Sequence, residues 1–349
     1  MFAGGYRPVY ALTRGGYPES VHFGAIAVVN VNGELVASYG DVQIAAFLRS
    51  AAKPFQALPF VLAGGVEHYG LSSAELALMC ASHSGTDEHV QMLEQLMGKC
   101  GVTETQLLCG THPPYHAATA ERLRRADAPF TPARHNCSGK HAGMLAYAVM
   151  RGWDSSSYID PTHPLQQEIL AIFAELAGLA ADTLAVGIDG CSAPNWAAPL
   201  YNTALAYARL VDPSELPEAQ VAACTQIAAA MLANPGMVAG PQRFDSDLMT
   251  AAGGRVLAKG GAEGFQAIGL PPGALGADSP GLGIALKIAD GDARAWASHG
   301  VALDVLWQLG ALDAGELDAL AAYGPERPVH NWRGLEVGRA QPVFSLENQ

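Results

Sequence analysis

The chain has 349 residues, of which 50% are hydrophobic and only 15% are charged. This composition indicates a compact folded protein and excludes a disordered or coiled-coil chain. Asp and Glu outnumber Lys and Arg 33 to 20, and the resulting net charge of −13 argues against nucleic acid and anionic membranes as partners.

The N-terminal thirty residues contain glycines, prolines and charges where a signal peptide needs an unbroken apolar run. No segment is apolar for the length of a membrane span. We therefore expect a cytoplasmic protein that does not contact membranes. Its six cysteines should then be metal ligands, reactive thiols or small core residues rather than disulfide partners.

Two β-rich runs come first, VHFGAIAVVN from Val21 and GELVASYG from Gly33. They are joined through Asn32-Gly33, a dipeptide that predicts a type I′ hairpin turn. Helical patterns follow from about Lys53 to Leu232. They include SSAELALMCAS with a serine start, TDEHVQMLEQLMGKCG with Thr86 as a cap and Gly101 as a stop, and PLQQEILAIFAELAG.

Strand character returns after Gly254 in RVLAKGG, GFQAIGL and PGLGIALKIADGDARAW, the last with an Asp290-Gly291 turn. An amphipathic helix is predicted from about Val301 to Leu309. The fold class is therefore mixed α/β (α+β): strands from both chain ends form one antiparallel sheet packed with helices, around a helical insertion. We expect residues 1–349 to form one catalytic unit, with a sheet-containing part from about 1–45 and 254–349 and a mostly helical part from about 60–250.

Four polar islands interrupt the apolar patterns. The first, in FLRSAAKPFQ, places Lys53 three residues after Ser50, so a helix capped by Ser50 would put the lysine within reach of its hydroxyl. A lysine-activated serine is a known nucleophile for acyl transfer, although Ser50 could simply be a helix cap. The second island, CASHSGTD, offers Ser82, His83 and Ser84, or an ordinary turn.

The third and fourth islands, RHNCSGKH and GIDGCSAPN, each carry one cysteine in a polar turn. Cys137 and Cys191 could hold zinc as thiolates, with the set completed by His135, Lys140 or His141. The alternatives are two small loop residues or redox-sensitive thiols. A second candidate metal cluster lies in CGTHPPYH, which contains Cys109, His112 and His116.

Lys259-Gly-Gly261 ends an apolar run that resembles a strand. Two glycines allow close backbone approach to a ligand, and the ammonium could face a carboxylate or oxyanion; alternatively, Lys259 is a solvated edge residue. Ser50-x-x-Lys53, Ser82-x-Ser84 and Lys259-Gly-Gly261 follow the motif order of serine β-lactamases and penicillin-binding proteins. This order favours a Ser-Lys amidohydrolase.

The same residues carry a more specific resemblance. FLRSAAKPFQALP, CASHSGTDEH, CGTHPPYH, RHNCSGKHAGMLA, GIDGCSAPNWAAPL and LAKGGAEGF together resemble the rhizobial-type L-asparaginase family, also called asparaginase II, between about Arg14 and Gly264. The resemblance implies a serine β-lactamase or glutaminase-like fold, a homodimer, and hydrolysis of L-asparagine to aspartate and ammonia. It also implies two Ser-Lys pairs, Ser50 with Lys53 and Ser82 with Lys259.

The resemblance further implies a zinc ion held by Cys137, Lys140 and Cys191 near the substrate. In the mechanism we predict, Lys53 takes the proton of Ser50, Ser50 attacks the side-chain amide to form an acyl-enzyme, and Ser82 relays protons between the lysines. The α-carboxylate and α-amino group of the substrate are expected to be bound by four polar residues of the islands: Arg49, His135, Asn136 and Asp189.

Two other functions stay open from the sequence. A glutaminase or a β-lactamase-like esterase would use the same groups, because one methylene in the substrate is too small a difference to read from these motifs. A catalytically silent zinc-binding sensor of small amino acids would keep the cysteine islands and bind its ligand without releasing ammonia.

Overall fold

The computed structural model describes residues 4–348 and divides them into two compact units. The first contains the residues up to Ala51, then Ala197–Glu215, and those from Leu248 onward. The second contains Ala52–Trp196 and Leu216–Asp247. Residues 1–3 and 349, which belong to the predicted sheet-containing part, lie outside the described residues.

Twelve strands are present in the described part of the chain: β1 Arg7–Arg14, β2 Tyr17–Asn30, β3 Leu35–Tyr39, β4 Ala45–Phe47, β5 Ala185–Ile188, β6 Pro194–Pro199, β7 Leu257–Gly260, β8 Phe265–Leu270, β9 Leu282–Ile288, β10 Arg327–His330, β11 Glu336–Pro342 and β12 Glu347–Asn348. Nine of them form an antiparallel sheet in the first unit, in the order β10-β11-β1-β2-β9-β8-β7, with β3 on β2 and β12 on β3. Strands from both chain ends therefore share one sheet, as the sequence predicts.

The long strand β2 organises this sheet because it is 14 residues long and has three partners. Its first half pairs with β1, and its second half pairs with β3 on one side and β9 on the other. The hairpin from β2 to β3 is confirmed, but its predicted type I′ turn is wrong. Only Gly33 has a positive φ, and its N–H bonds to the Asn30 carbonyl at 3.0 Å, as in a type I turn followed by a left-handed glycine.

Thirteen α-helices are present in the same described residues: α1 Lys53–Leu62, α2 Gly65–Tyr69, α3 Ser73–Met79, α4 Asp87–Cys100, α5 Ala117–Arg125, α6 Ser138–Arg151, α7 Pro164–Ala177, α8 Leu200–Val211, α9 Glu218–Ala233, α10 Pro235–Val238, α11 Phe244–Ala251, α12 Trp296–Gln308 and α13 Ala314–Ala319. Helices α1 to α7, α9 and α10 belong to the second unit. None of the described helices is long and apolar enough to cross a membrane.

Local signals explain several helix boundaries. Ser72 caps α3 and forms a capping box with Glu75, and Thr86 caps α4 by accepting the N–H of His89. Helix α4 ends at Gly101, whose φ of +67° is the left-handed conformation that stops a helix. The predicted starts and the glycine stop are confirmed at these positions.

Helix α8 lies in the range predicted as mostly helical, but it belongs to the first unit, which contains the large sheet. It packs on β9, β2 and β8, and Gly283 of β9 lies against it. A Cβ atom at Gly283 would stand 1.7 Å from the Ala204 carbonyl oxygen, so only glycine allows this approach. Within the mostly helical range, the structure also has the strands β5 and β6, on either side of the turn predicted in GIDGCSAPN.

Candidate active site

Lys53 is the first residue of α1, and it is 1% exposed. The N-cap is Ala52 rather than Ser50, and Arg49–Ala52 forms a 3-10 turn before the helix. Ser50 is therefore not the N-cap of this helix, contrary to the arrangement considered from the sequence. Pro54 at the second helical position removes an N–H that has no acceptor within the helix.

The ammonium group of Lys53 has three hydrogen-bond acceptors in the second unit. Its Nζ donates to the Ala81 carbonyl at 2.5 Å, to Ser82 Oγ at 2.8 Å and to the Asn136 carbonyl at 3.3 Å. Burial lowers the pKa of Lys53, because the charged form loses its hydration; the nearby Lys140 adds to this shift, while Cys137 and Cys191 oppose it. A buried lysine with a lowered pKa beside a serine hydroxyl can exchange a proton with that hydroxyl.

Ser82 and its neighbours form the connection between α3 and α4. Ser82 donates its N–H to the Val238 carbonyl, and His83 donates its N–H to the same Asn136 carbonyl that accepts from Lys53. Two backbone segments thus meet at the amino group of Lys53: the connection that contains Ser82, and the turn that contains Asn136.

Cys137, Lys140 and Cys191, the predicted zinc ligands, lie together in the second unit. Lys140 Nζ is 2.9 Å from Cys191 Sγ, and all three residues are almost fully buried. The pKa of Cys137 is well below its usual value, because the Cys191 thiol donates a hydrogen bond to it and two lysines lie nearby. The same bond raises the pKa of Cys191, and the thiolate pair raises the pKa of Lys140 above its usual value against the effect of burial. The two thiols and the amine of Lys140 therefore form one coupled group, in which Cys137 is the thiol that ionises more readily.

The alternative metal cluster does not converge. Cys109 Sγ points to the Gly110 and Pro132 carbonyls, His112 bonds to Asn136, and His116 bonds to Thr119. Among residues 4–348, no three His, Cys, Asp or Glu side chains are placed to hold a metal ion. Lysine is not one of those four residue types, so this absence does not concern a site formed by Cys137, Cys191 and Lys140.

Three of the four predicted substrate-binding residues are in the second unit. His135 is buried beside His112, with ring centroids 4.3 Å apart, and burial lowers the pKa of His135 to about 4. The Asn136 side chain lies 3.1 Å from His112 Nε2. Asp189 accepts the N–H of Gly190 through Oδ1 at 2.7 Å and contributes to the high pKa of Lys140.

The remaining predicted residues, Arg49, Ser50 and Lys259, belong to the first unit. Arg49 and Ser50 are half-buried, and Arg49 has a φ of +52°, a conformation rare for a residue with a side chain. Lys259 is fully buried on the edge strand β7 and donates to the Gly260 carbonyl at 2.9 Å. It is therefore not a solvated edge lysine.

Gly261 follows this lysine at a point of close backbone approach. A Cβ atom there would lie 2.6 Å from the Leu48 carbonyl oxygen. Gly261, the second glycine after Lys259, therefore allows the end of β7 to pass close to the backbone just before Arg49 and Ser50. The close approach that the sequence suggests is made to this protein's own backbone.

Sequence reasoning named His83 and His141 as candidates but missed the partners that hold them. His83 bonds to Ser138, and His141 bonds to the hydroxyl of Tyr158 at 2.6 Å. His83 is fully buried, and a histidine between two serines in a polar island was the available signal. Its partner Ser138 is 55 residues away and cannot be identified from local pattern.

Among solved structures, the chain is similar to a probable glutaminase from Bacillus subtilis complexed with 6-diazo-5-oxo-L-norleucine, with 16% identity, a TM-score of 0.39, and coverage of 82% of this chain and 84% of that one. It is also similar to a Bacillus glutaminase determined in the presence of 4.3 M NaCl, with 14% identity, a TM-score of 0.38, and coverage of 82% and 91%. A search of curated protein sequences found no significant match. A sequence model of the L-asparaginase II family matches residues 10–342. Because this match spans nearly the whole chain, the protein belongs to the L-asparaginase II family.

Proposed function

We propose that this protein is an L-asparagine amidohydrolase that releases aspartate and ammonia. Membership in the L-asparaginase II family supports an amidohydrolase acting on asparagine or glutamine. The observation that carries the proposal is the buried Lys53, whose amino group lies 2.8 Å from the Ser82 hydroxyl. Glutamine is the alternative substrate, because it differs from asparagine by one methylene.

The acceptors of Lys53 support a role in proton transfer. A neutral lysine has two N–H groups and one lone pair. If the two N–H groups donate to the Ala81 and Asn136 carbonyls, the lone pair is left to accept the proton of Ser82. Burial favours this neutral form, because it lowers the pKa of Lys53.

In the reaction we propose, a serine oxygen attacks the side-chain amide carbon and its proton passes to a lysine. The lysine returns that proton to the leaving ammonia, and water then hydrolyses the acyl-enzyme. We keep Ser50 as the nucleophile and Ser82 as the proton relay, with Lys259 as its second lysine. The contact between Lys53 and Ser82 also makes Ser82 a candidate nucleophile, and the experiment below separates the two.

Substrate recognition is proposed for four residues of the polar islands, namely Arg49, His135, Asn136 and Asp189. An amino acid substrate carries an α-carboxylate and an α-ammonium, so a guanidinium and a carboxylate are chemically matched to it. Asn136 would bind through its side-chain amide, since its backbone carbonyl already accepts from Lys53.

The zinc ion is proposed on the chemistry of its donor set. Two buried sulfurs beside a nitrogen suit Zn²⁺, which prefers thiolate and nitrogen ligands, and the low pKa of Cys137 favours one of the thiolates. Cys137, Cys191 and Lys140 would hold it, provided that the lysine and the second thiol lose their protons. Bound there, zinc would supply a positive charge close to the substrate, while the serines and lysines carry out the proton transfers.

The zinc proposal is tested by metal analysis of purified protein. We expect wild type to contain zinc, and Cys137→Ala and Cys191→Ala to lose it. Cys224→Ala is the matched control, because Cys224 is a fully buried thiol on α9 outside this cluster. If both cluster variants keep as much zinc as the control, the ligand assignment is wrong.

The function is tested by ammonia release from L-asparagine and L-glutamine, with a chromogenic cephalosporin as a third substrate. Ser50→Ala, Ser82→Ala and Ser84→Ala are compared with wild type, after circular dichroism has shown that each is folded. Ser84 is the matched control, because it is equally buried two residues away but bonds to the Ala239 carbonyl.

We expect Ser50→Ala and Ser82→Ala each to lower kcat by about 10²-fold or more, and Ser84→Ala to lower it far less. Residual turnover in Ser50→Ala with none in Ser82→Ala would identify Ser82, rather than Ser50, as the nucleophile. Wild type that hydrolyses none of the three substrates yet binds asparagine would support the amino acid sensor instead.

A homodimer and a cytoplasmic location are also part of the proposal. The low charged fraction of 15% is compatible with a surface that is partly covered in an oligomer. Sedimentation velocity over a range of protein concentrations would show a dimer as a species of twice the chain mass. Fractionation of cells that express the full-length protein would locate it.

A further inference from the structure

We propose that His83 is a positioning residue for this reaction: its imidazole ties the Ser82 connection to the Asn136 turn, and so holds the groups that accept from Lys53. The inference deepens the proposed function and rests on it. The sequence places His83 in the CASHSGTD island, but the predicted Ser-Lys pairs do not include it.

The hydrogen bonds of His83 determine which nitrogen carries the proton. The N–H of Gly85 donates to Nδ1 at 3.1 Å, so Nδ1 is an acceptor. Nε2 therefore carries the hydrogen and donates it to Ser138 Oγ at 2.8 Å, while the Ser138 hydroxyl donates to the Ala133 carbonyl at 3.0 Å. Every polar atom of the ring has a partner, and the ring is fully buried.

This bonding joins the two backbone segments that meet at Lys53. The Ser82 connection supplies the Ala81 carbonyl and the Ser82 hydroxyl, and the turn before α6 supplies the Asn136 carbonyl. His83 belongs to the first segment and Ser138 to the second. The backbone N–H of His83 also donates to the Asn136 carbonyl at 3.2 Å, so the residue links the segments twice.

A second link between these segments lies nearer the surface. Arg134 donates to the Gly85 carbonyl at 2.9 Å and pairs with Asp87 at 2.7 Å. The Asp87 side chain is 66% exposed, so this ion pair is screened by solvent. The buried imidazole is therefore the more rigid of the two side-chain links.

Proton transfer tolerates only small changes in the distance and direction between the two groups, so we expect a shift of these groups to lower the rate. If the Asn136 turn shifts relative to Ser82, Lys53 loses one of its three acceptors and its lone pair is no longer directed at the hydroxyl. Residues that orient a catalytic group typically contribute about 10- to 100-fold in rate. We expect His83→Leu to lower kcat by about that factor and to change KM by less than about threefold.

Rescue separates positioning from general structural damage. In His83→Gln the side-chain amide can still donate to Ser138 Oγ, so this variant should recover most of the kcat lost in His83→Leu. Ser138→Ala removes the same bond from the other side, and the double variant His83→Leu/Ser138→Ala should be no slower than His83→Leu alone. If His83→Leu does not fold, Ser138→Ala measures the same bond with a smaller change.

His163 provides a matched control. Its Nδ1 accepts the N–H of Leu165 two residues on, at 3.1 Å, and its Nε2 bonds to the Asp154 carbonyl, so its bonding pattern is that of His83. It is similarly buried at 6% exposure, and its two ring bonds are made to Asp154 and Leu165 rather than to the Ser82 connection or the Asn136 turn. His163→Leu should lose stability and keep the wild-type kcat.

The outcomes are distinct. A folded His83→Leu or Ser138→Ala with wild-type kcat would overturn the proposal, as would a His83→Gln that is no faster than His83→Leu. If wild type hydrolyses neither asparagine nor glutamine, the proposed function fails, and crystal structures of wild type and His83→Leu then decide. Loss of the bond from Lys53 Nζ to the Asn136 carbonyl in the variant would support positioning by His83, and its persistence would refute it.

Discussion

Adding a methyl group at Gly139 should disturb the start of α6, which carries Lys140. A Cβ atom at Gly139 would lie 2.2 Å from the Leu78 carbonyl oxygen and 2.8 Å from Leu78 Cγ. A backbone carbonyl cannot rotate away as the end of a side chain can. Helix α6 would therefore have to move from α3 by about 1 Å or more to restore ordinary van der Waals distances.

The cost can be compared with that at Gly143 on the same helix. A Cβ there would meet Met79 Cε at 2.4 Å, but this atom is the flexible end of an adaptable side chain. Alanine gains about 1 kcal/mol over glycine within a helix at either position. Overpacking against a backbone group costs about 1–3 kcal/mol or more, so Gly139→Ala should be about 2 kcal/mol less stable than Gly143→Ala.

Urea and thermal unfolding followed by circular dichroism would measure this difference. We expect Gly143→Ala to unfold close to wild type and Gly139→Ala to unfold at clearly lower urea and temperature. Equal midpoints for the two variants would show that α6 and α3 accommodate the methyl group and that this close approach does not constrain the site. A lower zinc content in Gly139→Ala alone would connect the packing to Lys140.

Two further predictions concern stability. Burial lowers the pKa of His89 to about 4, below the unfolded value of about 6.5, so its contribution of about 3 kcal/mol is complete above pH 6.5 and is lost as the pH falls towards 4. His89→Gln should flatten the pH dependence of the free energy of unfolding in urea between about pH 7.5 and 4.5. The buried control Leu93→Ala should lower this free energy by the same amount at each pH. Parallel curves for His89→Gln and wild type would contradict the prediction. The Asp292 carboxylate accepts the N–H and the hydroxyl of Ser298 and the N–H of Trp296 at the start of α12. Asp292→Ala should lower the free energy of unfolding by about 1–2 kcal/mol and Asp292→Asn by less, as judged by thermal denaturation, and equal losses would refute the capping role.

Much of the local structure was predictable because it depends on neighbouring residues. The serine and threonine caps of α3 and α4 and the left-handed Gly101 act within one helical turn. The turn at Asn32-Gly33 was placed correctly but assigned to the wrong type. The register between β2 and β3 and the hydrogen bonds of Asn30 decide the turn geometry, and the dipeptide alone does not contain them.

The candidate site was only partly predictable for the same reason. Ser50-x-x-Lys53 is visible in the sequence, and it suggests a pair made within one turn. The lysine also reaches Ser82, 29 residues away, and the Asn136 carbonyl, 83 residues away. A carbonyl acceptor leaves no trace in the residue type, since every residue has one.

By itself, the sequence determined the family, the residue types able to do Ser-Lys and zinc chemistry, and the antiparallel sheet with its helical insertion. These properties reside in motifs and hydrophobic periodicities that act over short stretches of chain. Only the tertiary structure decided which groups Lys53 contacts, that Cys191 lies beside Lys140, and that a buried His83 joins two segments beside Lys53. Those contacts depend on how distant backbone segments pack, because burial and the pairing of buried polar groups arise only when the segments are brought together.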